Sequence, residues 1–304
     1  MKKVGSKKTK RQQQHRVSQM YLKRFGYRDV YGKHWISALD IGKTKEMQAA
    51  NWFTTDQLRI KHCTVTDGEF DMVGFPKLEQ KFLEEGFGKA ESTYPLHLEH
   101  IAANRTWTDD QRIRVLEFMA TLLVRSKRYR RLMQEMLDSP QALDFLRTMC
   151  MWLKSEKDKE IFVNGAYNTP RDQQLNFVCA PTMHYIASTL STFEYRVFET
   201  PDEHGWHTCD DPVVMWTTDR PHTIISLQTE VFFPLSRDYA LHLCHSGSKD
   251  KSNSLRTYPP GVVSKADESV RHIFETMSRI GAHQYMFFNR KYEGQGPIEL
   301  GDED

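Results

Sequence analysis

TDDQRIRVLEFMATLLVRSKRYRRLMQEMLDS, residues 108–139, carries the clearest helical period in the chain. Phe118, Leu122, Arg125, Tyr129, Leu132 and Met136 follow at spacings of 4, 3, 4, 3 and 4, which puts them on one stripe of an α-helix. Thr108 and Gln111 make a capping box, and Asp109 and Asp110 occupy the first turn, where the helix dipole favours acids. Pro140 marks the end.

Outward from this helix the pattern divides the chain. Upstream, PKLEQKFLEEGFGKAESTYPLHLEHIAAN (76–104) is helical with a break at Gly86 and Gly88. Residues 141–160 and 183–193 read as further helices. Residues 18–25 form a short helix with Ser18 as N-cap and Tyr21, Leu22 and Phe25 on its apolar face. VYGKHWISALD (30–40) alternates as a strand or hairpin, and 63–76 is too rich in turn formers to assign. From residue 194 the character changes: EYRVFET, HTCDDPVVMW, TIISLQTEVFFPL and DYALHLCH are short, β-rich and bounded by Pro, Gly, Asp and Asn. They predict an antiparallel sheet, followed by a helix over 266–281. Helices first and strands later give an α+β class, with a helical N-terminal and middle part and a C-terminal antiparallel sheet. The expected organisation is a flexible basic arm over 1–14, one α+β domain over 15–293 and an acidic tail over 294–304.

Composition sets the outer bounds. The 304 residues suffice for a substantial core, and 39% hydrophobic with 12% aromatic residues fits a folded, soluble chain. No run approaches the roughly 18 apolar residues of a membrane helix. The basic start leads into glutamines rather than an apolar signal segment. Five scattered cysteines without a C-x-x-C pair suit reduced thiols in a cytoplasm. Residues 1–16 carry seven basic side chains and no acid, so a net charge of +2 leaves the remainder at −5. A basic arm on an acidic body suits contact with phosphate; a solubilising tail is the other reading.

Charges on apolar faces are the candidates for a site. Arg125 lies in the middle of its stripe, where a guanidinium needs a carboxylate, an anion or carbonyl oxygens. Glu91 shares a face with Tyr94, Leu98 and Ile101, and Glu79 flanks Leu78, Phe82 and Leu83. These charges are either a buried pair that orders helix packing or a pocket lined by acid and base. In RSKRYRR (125–131), Lys127, Arg128, Arg130 and Arg131 are either a solvated flank or, with Arg11 of the arm and Arg16 just after it, a nucleic-acid-binding surface. HGWHTCDD (204–211) and HLCH (242–245) lack zinc-finger spacing, and strand alternation splits each cluster. Asp210 with Glu91 suits a hard ion, Mg2+ or Mn2+, better than zinc. There is no phosphate-binding glycine loop, no G-x-S-x-G and no H-E-x-x-H.

Taken together, H-x-V-x-Q-x-Y-L-x-x-F (His15, Val17, Gln19, Tyr21, Leu22, Phe25), the acid-bearing segment with Glu79 and Glu91, Phe118 to Arg125, TCDDP (208–212), FPLS (233–236) and the closing IFETMSRIGAHQYMFF resemble the family catalogued as domain of unknown function 4238. The resemblance spans about 15–290. The chain departs from it at Ser18, where the family usually has proline, at Cys209, usually serine, and at Asp211, often asparagine. It implies that His15, Gln19, Glu79, Glu91, Arg125 and Asp210 form one constellation. The expected function is hydrolysis of phosphodiesters in nucleic acid or a nucleotide, by a toxin-like or phage-defence effector. His15 would be general acid or base, Arg125 the charge stabiliser and Gln19 a positioning group, with Asp210 and a glutamate holding a divalent ion. The alternatives are a non-catalytic binding or sensor protein for a small anion, nucleotide or partner protein, and a constellation that only locks the core.

Overall fold

The computed structural model describes residues 13–44, 46, 52–67, 69–71, 81–201, 203, 205–217, 227–247, 254–289 and 293–295. The first part of the chain is not purely helical. It contains β1 (Gln13–His15), α1 (Gln19–Leu22), β2 (Tyr27–Arg28), β3 (His34–Asp40), β4 (Trp52–Thr54), β5 (Asp56–Arg59) and β6 (Val65–Asp67). Ser18 caps α1 by accepting the Met20 N–H, as expected. Gln13 and Gln14, assigned to the arm on composition, instead pair with Asp67 and Thr66 across β1 and β6. Residues 1–12 and 78–79 lie outside the described residues, and with them Arg11 and Glu79.

The helical middle comprises α2 (Phe82–Asn104), α3 (Asp109–Arg125), α4 (Lys127–Leu137), α5 (Ala142–Met149), α6 (Glu156–Asn168) and α7 (Arg171–Leu190). Two expectations are corrected here. Gly86 and Gly88 do not break α2, because both lie on its open side, where an added Cβ would meet nothing within 4 Å. The long helix, conversely, is broken at Ser126, whose extended backbone (φ −69°, ψ 144°) ends α3 while its hydroxyl caps α4 through the Tyr129 N–H. The stripe is therefore interrupted rather than continuous: Tyr129 still packs against the core, but Leu132 is exposed and Met133 is buried in its place.

The remaining elements are β7 (Phe193–Glu199), β8 (Thr208–Cys209), β9 (Val214–Trp216), β10 (Glu230–Pro234), β11 (Tyr239–His245), β12 (Val263–Lys265), α8 (Glu268–Gly281), β13 (Tyr285–Phe288) and β14 (Glu293–Gln295). They build a five-stranded sheet in the order β12-β7-β11-β10-β9. It is antiparallel except for the edge, where β12 runs parallel to β7. The second five-stranded sheet joins the two ends of the chain: its path is β2-β3-β13-β8, and β5 also pairs with β3. Gly294 and Gln295, assigned to the tail, pair with β4.

The core sits between the helices and the sheets, and Tyr21 locks the N-terminal segment into it. Its ring stacks on Phe233 at 5.3 Å. Its hydroxyl donates to the Pro234 carbonyl (2.7 Å), so the Thr208 hydroxyl donates to it (2.6 Å). Tyr94 of α2 does the same from the other side, stacking on Phe118 at 4.1 Å and donating to Leu235 O at 2.6 Å. Buried phenol groups need such partners. The result holds α1, α2 and α3 against β8 and β10.

Candidate functional site

His15 ends β1, opposite Val65 of β6. Its Nδ1 lies 3.0 Å from the Cys63 carbonyl. That oxygen can only accept, so Nδ1 carries the proton and Nε2 the lone pair. The lone pair accepts from the Gln19 side-chain amide at 2.7 Å, one turn along the chain. Burial holds the His15 pKa below the ordinary histidine value, and Arg125 adds to that while Cys63 and Glu91 oppose it. His15 and Gln19 are thus brought together, with the imidazole neutral at pH 7.

Arg125, at the end of α3, is 2% exposed. Its Nη1 donates to Glu91 Oε1 of α2 at 2.5 Å, and its guanidinium carbon lies 4.9 Å from the Phe87 ring centre. Glu91 is 23% exposed, so the pair reaches solvent on the acid's side. Glu84 completes the cluster. It continues the α2 stripe of Phe87, Glu91, Tyr94 and Leu98 at spacings of 3, 4, 3 and 4, and that was the signal available for finding it. Burial raises its pKa, opposed by Arg125 and reinforced by Glu91 and Asp71. Glu84 Oε1 and Arg125 Nε are buried without a hydrogen-bond partner among the described residues. Gln14, which no pattern pointed to, clips the edge of the cluster: its amide donates to Asp71 Oδ1 at 2.8 Å and accepts the Phe70 N–H at 2.8 Å.

Asp210 is placed elsewhere. Its two oxygens accept the backbone N–H groups of His283 (2.7 Å) and Gln284 (2.9 Å), and its own N–H donates to Tyr285 O. It therefore fastens the turn after β8 to the turn between α8 and β13. Burial raises its pKa against those hydrogen bonds. Among the described residues Asp210 and Glu91 share no hydrogen-bond partner, and there is no group of three or more His, Cys, Asp or Glu side chains able to hold a metal ion. Asp210 does line a polar hollow of about 250 Å³, together with Arg16, His62, Lys127 and His283. His62 also acts electrostatically on His15, which puts this hollow beside the first cluster.

The basic residues have different fates. Arg16 and Arg130 both close on Glu69, at 2.7 and 3.2 Å. Arg130 also donates to Asn176 Oδ1 and covers the Phe70 ring. Lys127, Arg128 and Arg131 are exposed, the last of them 3.6 Å from Glu135. Among the described residues no helix is long and apolar enough to cross a membrane, and all five cysteines are free and buried.

The arrangement can move protons. It offers a neutral imidazole with its lone pair held by an amide, a carboxyl shifted towards its protonated form and a fixed guanidinium between acids. No curated protein and no solved structure matches the chain. Residues 13–292 match the model of the family described as "Protein of unknown function (DUF4238)", and the chain belongs to that family.

Proposed function

We propose that the chain is a hydrolase of phosphodiester bonds in nucleic acid or a nucleotide, working by acid–base catalysis at the His15–Glu84–Glu91–Arg125 cluster. One observation carries the reading: His15 is shifted down and Glu84 up, both under the field of the same guanidinium. Such a pair can supply a base and an acid at one pH. His15 Nε2, on release from Gln19, accepts the proton of the attacking hydroxyl or water, and protonated Glu84 donates to the leaving oxygen. Arg125 is sealed behind Glu91, so it acts as a fixed charge that orders the two acids rather than as a group touching phosphate. Lys127 and Arg131 on the surface would meet the nucleic-acid backbone. No step is routed through an ion, and Mg2+ or Mn2+ is a variable of the assay. A cytoplasmic setting and a role as a toxin-like or phage-defence effector go with this reading.

The test is incubation of the full chain with RNA, single- and double-stranded DNA and cyclic dinucleotides, with Mg2+ or Mn2+ and with chelator. Wild type should cleave at least one of these, and His15→Ala should abolish cleavage with an unchanged melting temperature. No turnover on any of them ends the proposal. The polar hollow lined by Arg16 and Lys127 favours one second reading, a non-catalytic sensor of a nucleotide or anion. Thermal stabilisation by a nucleotide without turnover would select it.

A further inference from the structure

Thr64 stands where the backbone is strained. Its φ of +53° is a left-handed conformation, uncommon for any side chain and an outlier for a β-branched one. Glycine or asparagine would take the position with less strain. The turn follows a short 3₁₀ helix, Ile60–His62, and Cys63, whose backbone is extended (φ −75°, ψ 139°), and it leads into β6. In a regular strand successive carbonyls point to opposite edges. Here the two carbonyls flanking the left-handed residue serve one neighbouring segment. Cys63 O faces His15 Nδ1 at 3.0 Å, and Thr64 O accepts the Arg16 N–H at 3.1 Å. The Thr64 hydroxyl closes the clip by accepting the Val17 N–H (3.2 Å) and donating to the Val17 carbonyl (3.3 Å). Three consecutive residues, His15 to Val17, are thus held by two, and the strained backbone is kept in place by its own side chain.

We propose that Thr64 is a positioning residue for His15: its left-handed turn, clipped to Val17, aims the Cys63 carbonyl at Nδ1 and so fixes the proton there and the lone pair on Nε2. Gln19 cannot make that choice, because a side-chain amide can turn either its N–H or its oxygen towards Nε2. A carbonyl oxygen only accepts, so it decides the tautomer. Left without it, a neutral histidine side chain favours the proton on Nε2, the nitrogen that must be bare to act as a base. The use made of that lone pair rests on the hydrolase reading; the tautomer itself does not.

Nitrogen NMR of the full chain with isotope-labelled histidine, at about pH 8 where the imidazole is neutral, separates a protonated ring nitrogen from a bare one. Comparison with His15→Gln picks the His15 signals out of those of thirteen histidines. Wild type and Thr64→Ser should carry the proton on Nδ1. Thr64→Ala, which eases the strain of the branched side chain but removes the clip, should carry it wholly or partly on Nε2. A wild type protonated on Nε2, or a Thr64→Ala spectrum like that of wild type, overturns the proposal. A clip that only braces the fold would lower the melting temperature and leave the tautomer in place. On any substrate that wild type cleaves, Thr64→Ala should lose about tenfold or more in kcat with KM unchanged, and Thr64→Ser should keep wild-type turnover. Absence of all cleavage with the tautomers as expected ends the hydrolase reading and leaves this assignment standing.

Discussion

The helix pair around Arg125 and the turn around Asp210 both bury charge, and they neutralise it in opposite ways. Between α2 and α3 a guanidinium meets a carboxylate from another helix, and the pair holds because each partner is present. In the turn, the two oxygens of Asp210 are held by two backbone N–H groups. Its neighbour Asp211 gets neither solution: the Ser126 hydroxyl reaches its carboxyl, the backbone donors of His283 and Gln284 serve only Asp210, and Asp211 Oδ1 has no hydrogen-bond partner among the described residues. A side-chain pair fails when one member is lost, whereas a backbone clamp fails only with its own carboxylate. A buried acid with only one of its oxygens served is relieved by being removed.

That contrast can be broken in several places. The largest effect should come from Arg125→Met, which leaves Glu91 and Glu84 facing each other without a cation and should cost about 3–5 kcal/mol in urea unfolding. Adding Glu91→Leu to it should return most of that loss; a double variant as weak as the single one would mean that the pair is not the stabilising unit.

Asp211→Asn should act in the opposite direction, and with pH. The folded carboxyl titrates near 7 against an ordinary 3.8. The folded state therefore holds a proton that the unfolded state releases. The stability this confers is complete below about pH 4 and is lost as the pH rises towards 7. Asparagine avoids that loss, so the variant should be more stable than wild type at pH 8 by up to about 4 kcal/mol, and equal to it at pH 4. A flat difference across pH would refute the raised titration of Asp211.

Asp210→Ala should cost about 2 kcal/mol through its two lost hydrogen bonds. Gly281→Ala should cost about 1–2 kcal/mol, because a Cβ there would lie 2.5 Å from Val214 Cγ2 and 2.7 Å from the Asp211 carbonyl oxygen. The smallest effect belongs to His15→Gln. With its folded pKa depressed, His15 contributes stability that is present above pH 6.5 and lost as the pH falls through the folded value. Glutamine should remove that acid-side slope and leave the melting temperature at pH 8 nearly unchanged.

Part of this was legible in the residues. Arg125 and Glu91 stood out because each interrupts an apolar stripe, and periodicity reports a helical face whatever the partner helix is. Glu84 sits on the same stripe but was hidden by the assumption that Gly86 and Gly88 end the helix. That assumption fails wherever glycine faces open space. Ser126 was hidden for the opposite reason: a cap inside a helical period leaves the period intact on both sides while turning the chain. Gln14 had no pattern at all, since three residues of strand carry no periodicity and its partners, Phe70 and Asp71, lie more than fifty positions away. Asp210 was legible as a polar residue in a turn. Its role as a backbone clamp was not, because the N–H groups it holds belong to the far end of the chain.

The pairing of β3 with β13 places Asp40 opposite Tyr285 and Ser37 opposite Phe288. A ribosome makes the first of these strands long before the second, at about 5–20 residues per second. The Ser37–Asp40 part of that edge, beyond the two residues that β2 pairs, must therefore wait unpaired until residues 285–288 have emerged, and an unpaired edge is an invitation to the wrong neighbour. Premature termination anywhere before residue 285 would leave that edge open for good, so nascent and truncated chains of this protein should be natural clients of holding chaperones.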